Sequence, residues 1–311
     1  MPSLLELTQQ GDVGQQQGDV GTVSDESKLS SSFKLMNPQQ LYELWEKQNW
    51  ISSGIDFTRD QEDWAGLSEQ ERHDITWTLS SFFIGEERVT TQFSGLVMSY
   101  EDQHEEAFLT TQQVDEARHA QHFNRFYEHV VGLDMSFDER LQKVREDVSD
   151  SFIQLFDHNL VEAGDRLIQN PGDIEAKVDF VTMYHMVIEG TLALTGQYTV
   201  TEWCERNDKL PGFLEGFKKI SQDEHRHVAY GTWFLQQKCR DNPAMQRRVQ
   251  DKLAELLPIA AGVLAPPGMD PFGEWELMGF SNAEVNEFAF NALTRRLKVI
   301  GITLPAVQAT A

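Results

Sequence analysis

The feature that most constrains this chain is a glutamate followed three residues later by a histidine, which occurs twice within long stretches of helical periodicity. Glu116 and His119 form the first pair, and Glu224 and His227 form the second. A spacing of three residues puts two side chains on one helix face, about one turn apart. Each pair therefore presents a carboxylate and an imidazole, both of which are metal ligands, in the same direction.

Both pairs lie on apolar helix faces. Around Glu224 and His227, apolar residues from Phe217 to Phe234 recur in alternating steps of three and four residues. This is the repeat of a helix seam that faces the protein interior. The first pair lies in a repeat of the same kind. We therefore expect all four side chains to be buried.

A third Glu-x-x-His, at Glu101 and His104, has a different setting. Its neighbours are Asp102, Gln103, Glu105 and Glu106. Because polar and charged residues surround it on every side, we predict that this segment is a solvated helix start that binds no metal.

Two further glutamates stand alone inside apolar helical stretches. Glu86 shares a helix face with Leu79 and Phe93, whereas its neighbour Glu87 lines up with polar residues. Glu189 lies in an apolar run that contains no basic residue. Burying four unpaired carboxylates is very unfavourable, and two divalent cations would neutralise them.

A glutamate from each of two helices, together with a Glu-x-x-His from each of two others, is the ligand set of a ferritin-like dimetal carboxylate site in a four-helix bundle. The sequence therefore predicts oxygen chemistry at iron or manganese. The predicted ligands are Glu86, Glu116, His119, Glu189, Glu224 and His227.

The predicted fold is all-α, a ferritin-like four-helix bundle with additional helices and no strand pair. Residues 1–32 form a Gln/Gly/Asp/Ser-rich segment that is predicted to be a disordered tail, and residues 33–311 are predicted to be one domain. Capping boxes at Ser68–Glu71 and Ser281–Glu284 mark two helix starts. Helices are predicted at about 40–50, 69–100, 101–131, 138–169, 174–207, 211–240, 243–264 and 282–299.

Composition excludes some functions and locations. The formal net charge is −24, so nucleic acid is not an expected partner, because phosphate contacts need a basic face. No apolar stretch is long enough to span a membrane, and the N-terminus lacks the features of a secretory signal. Cys204 and Cys239 are far apart in sequence, which favours free thiols and a cytoplasmic location.

The motifs resemble those of the ribonucleotide reductase small-subunit superfamily and, within it, the ligand-binding oxidases that carry a heterodinuclear Mn/Fe site. The resemblance covers about residues 40–300, and its motifs include Trp45-Glu46-Lys47, Ile55-Asp56-Phe57-Thr58-Arg59-Asp60, Gly85-Glu86-Glu87-Arg88-Val89-Thr90, Glu189-Gly190-Thr191-Leu192 and Asp223-Glu224-His225-Arg226-His227. It implies a cofactor of Mn and Fe, or of two Fe. By this resemblance Glu86 and His119 would bind the first metal and Glu189 and His227 the second, while Glu116 and Glu224 would help to bridge them.

The resemblance also implies a reaction and its partners. The oxidases use O2, bind a long-chain fatty acid beside the metals, and form an ether cross-link between a valine and a tyrosine. The corresponding residues here are Val89 and Tyr184. We expect a homodimer and an apolar substrate that could come from a membrane. The candidate channel residues are Phe82, Phe93, Phe123, Leu192 and Phe234.

Three alternative functions remain open at this point. A reductase small subunit would use a radical tyrosine, but Phe123 stands at that position, and 297–311 contains no tyrosine and no acidic docking segment. Trp50, Asp223 and His119 could nevertheless form the superfamily's electron-transfer triad. An N-oxygenase would often have a further histidine where Ile220 stands. Iron storage is the third alternative, and it would require cage assembly.

Overall fold

The computed structural model describes residues 35–304, which are almost entirely helical. None of the helices in this part of the chain is long and apolar enough to cross a membrane. The all-α fold predicted from the sequence is confirmed. The predicted tail at 1–32 lies outside the described residues, and the 33–311 domain boundary stays a prediction. The helices are α1 (Pro38–Gln48), α2 (Thr58–Gly66), α3 (Glu69–Met98), α4 (Gln103–Phe126), α5 (Phe137–Val144), α6 (150–169), α7 (174–207), α8 (Pro211–Cys239), α9 (Pro243–Leu264) and α10 (Asn282–Ile300).

Three helices include π-helical turns, in which the backbone is wider than in an α-helix. One continues α4 beyond Phe126 (Tyr127–Val131), one lies in α6 (Ile153–Asn159), and the longest lies in α7 (Thr182–Ala193). Such segments are frequent at functional sites. The α7 segment contains both Tyr184 and Glu189, so it carries two of the predicted site residues.

Most helix starts agree with the sequence signals. The Ser68 hydroxyl accepts a hydrogen bond from the Glu71 amide at 3.2 Å, and the Glu71 carboxylate accepts one from the Ser68 amide at 2.8 Å. Ser281 and Glu284 form the same reciprocal pair at the start of α10. Both predicted capping boxes are therefore confirmed.

Three features differ from the prediction. The single helix expected at 138–169 is interrupted, because Val148 is extended and Ser149 caps a new helix by accepting from the Phe152 amide at 3.1 Å. The helix α2 was not predicted. The absence of strands was also wrong, because Glu276–Leu277 and Phe280–Ser281 form a short antiparallel hairpin, β1 and β2.

The helices α3, α4, α7 and α8 enclose the core and carry all six predicted metal ligands. Close approach between α8 and the π-helical part of α7 requires a glycine, because a Cβ atom at Gly231 would lie 2.2 Å from the Cβ atom of His185. The start of α8 is capped from another helix. Asp60 of α2 is fully buried, and its carboxylate accepts from the amides of Gly212 and Phe213, each at 2.9 Å. These contacts set the position of α8 in the bundle.

Candidate metal centre

The six predicted ligands lie in one buried cluster. Glu86 comes from α3, one Glu-x-x-His pair comes from α4, Glu189 comes from the π-helical part of α7, and the other pair comes from α8. None of the six is more than 7% exposed. They form two overlapping groups of four, and within each group the possible ligand atoms lie within 4.8 Å of one another. The groups are Glu86, Glu116, His119 and Glu224, and Glu116, Glu189, Glu224 and His227.

The first group surrounds the Nδ1 atom of His119. This atom is 3.4 Å from Glu86 Oε2, 3.4 Å from Glu116 Oε2 and 3.5 Å from Glu224 Oε1. Three carboxylates from three helices therefore face one imidazole nitrogen.

The second group surrounds the Nδ1 atom of His227 in the same way. It lies 3.2 Å from Glu116 Oε1, 3.2 Å from Glu189 Oε1 and 3.6 Å from Glu224 Oε2. The glutamates of the two Glu-x-x-His pairs thus turn one oxygen toward each histidine. This arrangement suits carboxylates that bridge two ions.

The other ring nitrogen of each histidine faces an aspartate. His119 Nε2 is 3.1 Å from Asp223 Oδ2, and His227 Nε2 is 3.2 Å from Asp115 Oδ2. The Arg226 guanidinium bonds both aspartates, at 3.0 Å in the case of Asp115. Such outer carboxylates orient a histidine and leave its other nitrogen free for metal. Sequence reasoning missed Asp115, although an aspartate directly precedes the glutamate in both motifs.

Two tryptophans near the start of the described chain extend these contacts outward. Trp50 Nε1 donates to Asp223 Oδ2 at 2.7 Å, and Trp45 Nε1 donates to Asp115 Oδ1 at 2.9 Å. Trp50, Asp223 and His119 are therefore joined by hydrogen bonds, as the superfamily triad requires.

Burial and the facing charges shift the pKa values of the cluster residues. Burial raises the pKa of Glu86 to about 8 and raises that of Glu189 well above its usual value. Burial alone would lower the pKa of both histidines, but the carboxylates facing them raise it well above the usual value. Burial also acts to raise the pKa of Glu116, yet the two histidines hold it well below its ordinary range. The cluster thus attracts positive charge.

The donor set fits two divalent cations. His119 Nδ1 and one oxygen each of Glu189 and Glu224 are buried without a hydrogen-bond partner. Buried polar atoms normally have partners, and two metal ions, one in each ligand group, would satisfy all three. Two divalent ions would also balance four carboxylates when both histidines are neutral, so the residues present suit a dimetal site.

Tyr184 and Val89 lie beside this cluster. The Tyr184 hydroxyl donates to Glu116 Oε1 at 2.6 Å, and burial raises the pKa of this phenol well above its usual value. Val89 is 4% exposed, and both side chains line one cavity. The Gln112 amide, which sequence reasoning also missed, donates to Glu189 Oε1 at 3.0 Å.

The cavity beside the cluster is largely apolar and has an empty volume of about 840 Å³, including the part open to solvent. Four glutamates of the cluster line it, and no lysine, arginine or histidine of residues 35–304 does. Two of the predicted channel residues, Phe82 and Leu192, line the cavity. The prediction was wrong for Phe93, Phe123 and Phe234, which are packed in the core.

The third Glu-x-x-His is exposed, as predicted. Glu101 and His104 lie at the surface, and Glu101 forms an ion pair with Lys238 at 2.6 Å. The same prediction was wrong for Glu105, which is 2% exposed and bonds the Lys177 ammonium at 2.9 Å. Glu105 points inward, where the Lys177 ammonium and the Tyr230 hydroxyl donate to its carboxylate.

Fold and site together define a ferritin-like dimetal carboxylate protein. The ribonucleotide reductase small-chain family matches residues 32–303, and the chain belongs to that family. The prediction of a dimetal-dependent oxidoreductase is therefore confirmed at the level of the family.

Solved structures with the same fold include R2-like ligand-binding oxidases. One variant with an anaerobically reconstituted Mn/Fe cofactor is 25% identical, with a TM-score of 0.71, over 87% of this chain and 95% of the other. A second variant, with an aerobically reconstituted Mn/Fe cofactor, is 26% identical, with a TM-score of 0.71, over 86% and 94%. The oxidase from Sulfolobus acidocaldarius is 23% identical, with a TM-score of 0.71, over 88% and 94%, and supports the fold alone.

Proposed function

We propose that this protein is a dimetal oxidase that uses O2 to oxidise a C–H bond, with Mn and Fe or two Fe as cofactor. The observation that carries the proposal is the buried carboxylate and histidine cluster that opens onto an apolar cavity. Glu86 and His119 would hold one ion, and Glu189 and His227 would hold the other. Glu116 and the second Glu-x-x-His glutamate would bridge them. When bound, the metals supply the electrons for reduction of O2.

The ligand assignment predicts how metal binding responds to substitution. Glu116→Ala removes a carboxylate that reaches both histidines, so metal analysis should find that this variant no longer retains two tightly bound ions. Glu87→Ala is a matched control, because Glu87 adjoins Glu86 but belongs to neither ligand group. Anomalous diffraction at the Mn and Fe edges on aerobically matured protein would identify the ion at each position. Two tightly held ions in Glu116→Ala would refute the assignment.

We further propose that the cavity binds a long-chain fatty acid or a similar apolar ligand. Its lining combines aliphatic and aromatic side chains with four carboxylates, and none of the described residues that line it is basic. A ligand carboxylate therefore has no cation to pair with among these lining residues. The metal ions would supply that charge, so the head group would lie at the metal end and the chain would extend along Leu192 and Leu264. Extraction and mass spectrometry of ligand from purified protein tests this. A cavity whose bound compound is short and polar would contradict it.

The matured protein is proposed to carry an ether bond between Val89 Cβ and Tyr184 Oη. Formation of this C–O bond removes one hydrogen from each residue, and O2 accepts the two electrons. The hydrogen bond from Tyr184 to Glu116 supports the proposal because it holds the phenol beside the cluster and offers an acceptor for its proton.

Peptide mapping tests the cross-link. After O2 exposure of metal-loaded protein, residues 89 and 184 should appear in one species about 2 Da lighter than the sum of the separate peptides. Tyr184→Phe should abolish the linked species and leave metal binding intact, because Tyr184 is not a proposed ligand. Protein matured with both metals that yields only unlinked peptides would contradict this proposal.

A reductase small subunit is the second candidate function. It is favoured by the hydrogen-bonded series of Trp50, Asp223 and His119, which would carry an electron and a proton to a larger partner chain. Phe123, which stands at the usual radical position, is fully buried. A radical without a Val89–Tyr184 link after O2 exposure would favour this function. Homodimer formation, a cytoplasmic location and a membrane-derived substrate stay predictions.

A further inference from the structure

Side chains supplement the backbone hydrogen bonds of the π-helical segment in α7. Thr191 Oγ1 donates to the Met186 carbonyl at 2.7 Å, and Thr195 Oγ1 donates to the Thr191 carbonyl at 2.6 Å. The carbonyl of Gly190 accepts from Arg296 Nη1 at 2.9 Å. Of these three donors, only Arg296 comes from another helix, α10. It is therefore the tertiary contact among them, and it holds the residue directly after Glu189.

Arg296 is unusual because it is a buried cation without an acidic partner among residues 35–304. Its side chain is 7% exposed, and its Nε atom has no hydrogen-bond partner. Within residues 35–304, no carboxylate lies at ion-pair distance from its guanidinium. Burial lowers its pKa to about 9, and Glu189 is the acidic residue that acts against this shift. An apolar side chain of similar volume would anchor α10 without this desolvation cost, so packing alone does not account for an arginine here.

The geometry at Gly190 explains how the contact can act on its neighbour. A Cβ atom at this position would lie 2.5 Å from the His185 carbonyl oxygen and 3.4 Å from both Cδ and Nε of Arg296. The arginine stem thus packs against Gly190 at van der Waals distance, and its Nη1 atom reaches the Gly190 carbonyl. The same Nη1 atom also bonds the Ala292 carbonyl of α10. The guanidinium therefore ties the backbone at Gly190 to a fixed point on α10.

We propose that Arg296 is a positioning residue for Glu189: through the Gly190 carbonyl it fixes the turn of the π-helical segment from which the Glu189 carboxylate reaches His227. This inference rests on the proposed function, in which these two residues hold one of two metal ions. The other ion's ligands, Glu86 and His119, come from α3 and α4 and not from α7, the helix whose backbone Arg296 contacts. Loss of Arg296 should therefore weaken one metal position and spare the other.

Positioning and simple charge effects predict opposite results. A cation near a metal site repels the metal, so removal of the charge alone would tighten binding. Loss of positioning would weaken it, typically by about 10- to 100-fold for residues that orient metal ligands. The sign of the change therefore distinguishes the two.

The test is equilibrium dialysis and calorimetry of metal-free, full-length protein with Co2+ as the probe. Wild-type protein should bind two ions in two binding steps. The step that is lost in His227→Ala is the one that belongs to the Glu189 position. Arg296→Met should weaken that step by about tenfold or more and leave the other within about twofold. Arg295→Met is the matched control, since Arg295 is exposed on the same helix and makes no contact with Gly190. It should leave both steps unchanged.

Equal or tighter binding at the Glu189 position in Arg296→Met would overturn the inference. If that variant does not fold, Arg296→Lys decides the question, because lysine keeps the charge but its ammonium ends one bond short of the Nη1 atom that donates to both carbonyls. Weaker binding at the Glu189 position in Arg296→Lys supports positioning, and unchanged binding overturns it. Wild-type protein that binds fewer than two ions would instead refute the dimetal proposal itself, so the two failures can be distinguished.

Discussion

A buried ion pair outside the metal cluster allows a quantitative test of how this fold tolerates charge. Lys177 and Glu105 are 1% and 2% exposed, and Lys177 Nζ lies 2.9 Å from Glu105 Oε1. The same carboxylate oxygen accepts from the Tyr230 hydroxyl at 2.6 Å, and the ammonium also donates to the Ser99 carbonyl at 2.8 Å. Removing one charge leaves the other buried without its partner, whereas removing both leaves no buried charge at this pair.

The structure sets the expected magnitudes. Loss of one partner of a buried pair costs about 3–5 kcal/mol. Lys177→Met should lower the free energy of unfolding by about 3 kcal/mol, at the lower end of this range. The reason is that Tyr230 and the Glu101 amide still donate to the remaining carboxylate. Glu105→Gln should also cost about 3 kcal/mol, because the ammonium keeps a carbonyl acceptor. The double variant should cost only about 1 kcal/mol, since no charge is buried and the amide oxygen still accepts from Tyr230.

The assay is urea unfolding of metal-free protein, followed by circular dichroism, with the unfolding slope checked for constancy across variants. A matched control is Lys252→Met in the surface pair with Glu255, whose charged atoms are 2.7 Å apart. That change should alter the free energy of unfolding by less than about 1 kcal/mol. The reasoning would be refuted if the effects of Lys177→Met and Glu105→Gln on the free energy of unfolding sum to the effect of the double variant within about 0.5 kcal/mol.

Three further predictions concern the metal cluster and the helices that hold it. Metal uptake should release protons and strengthen as pH rises toward 8, because burial raises the pKa of Glu86 to about 8 and the facing carboxylates raise the pKa of both histidines. Calorimetry in buffers of different ionisation enthalpy measures this release, and heats that do not depend on the buffer would contradict it. Asp60→Ala should destabilise the protein by about 2–4 kcal/mol, because two amides at the start of α8 lose their acceptor, whereas the exposed Glu62→Ala should change stability by less than about 0.5 kcal/mol in urea unfolding. Gly231→Ala should separate α8 from α7 and reduce metal retention, because its Cβ atom would overlap His185; normal stability and a full metal content would contradict the close packing.

Much of the site could be predicted from the sequence because its ligands follow local rules. The three-residue spacing of a Glu-x-x-His places both groups on one helix face in any straight helix, and the surrounding apolar residues show which face is inward. The same argument chose Glu86 over Glu87 and excluded Glu101. Capping boxes are local as well, so the starts of α3 and α10 were predictable.

Only the tertiary structure decided the contacts that join distant segments. His227 reaches Asp115, which is 112 residues away in sequence, and Arg296 reaches Gly190 across 106 residues. Glu105 follows a charged segment in the sequence, yet it is buried because Lys177 and Tyr230 meet it from other helices. Helical periodicity specifies the direction of a side chain relative to its own helix axis. It does not specify which helix lies opposite, because that depends on how all the apolar faces pack together.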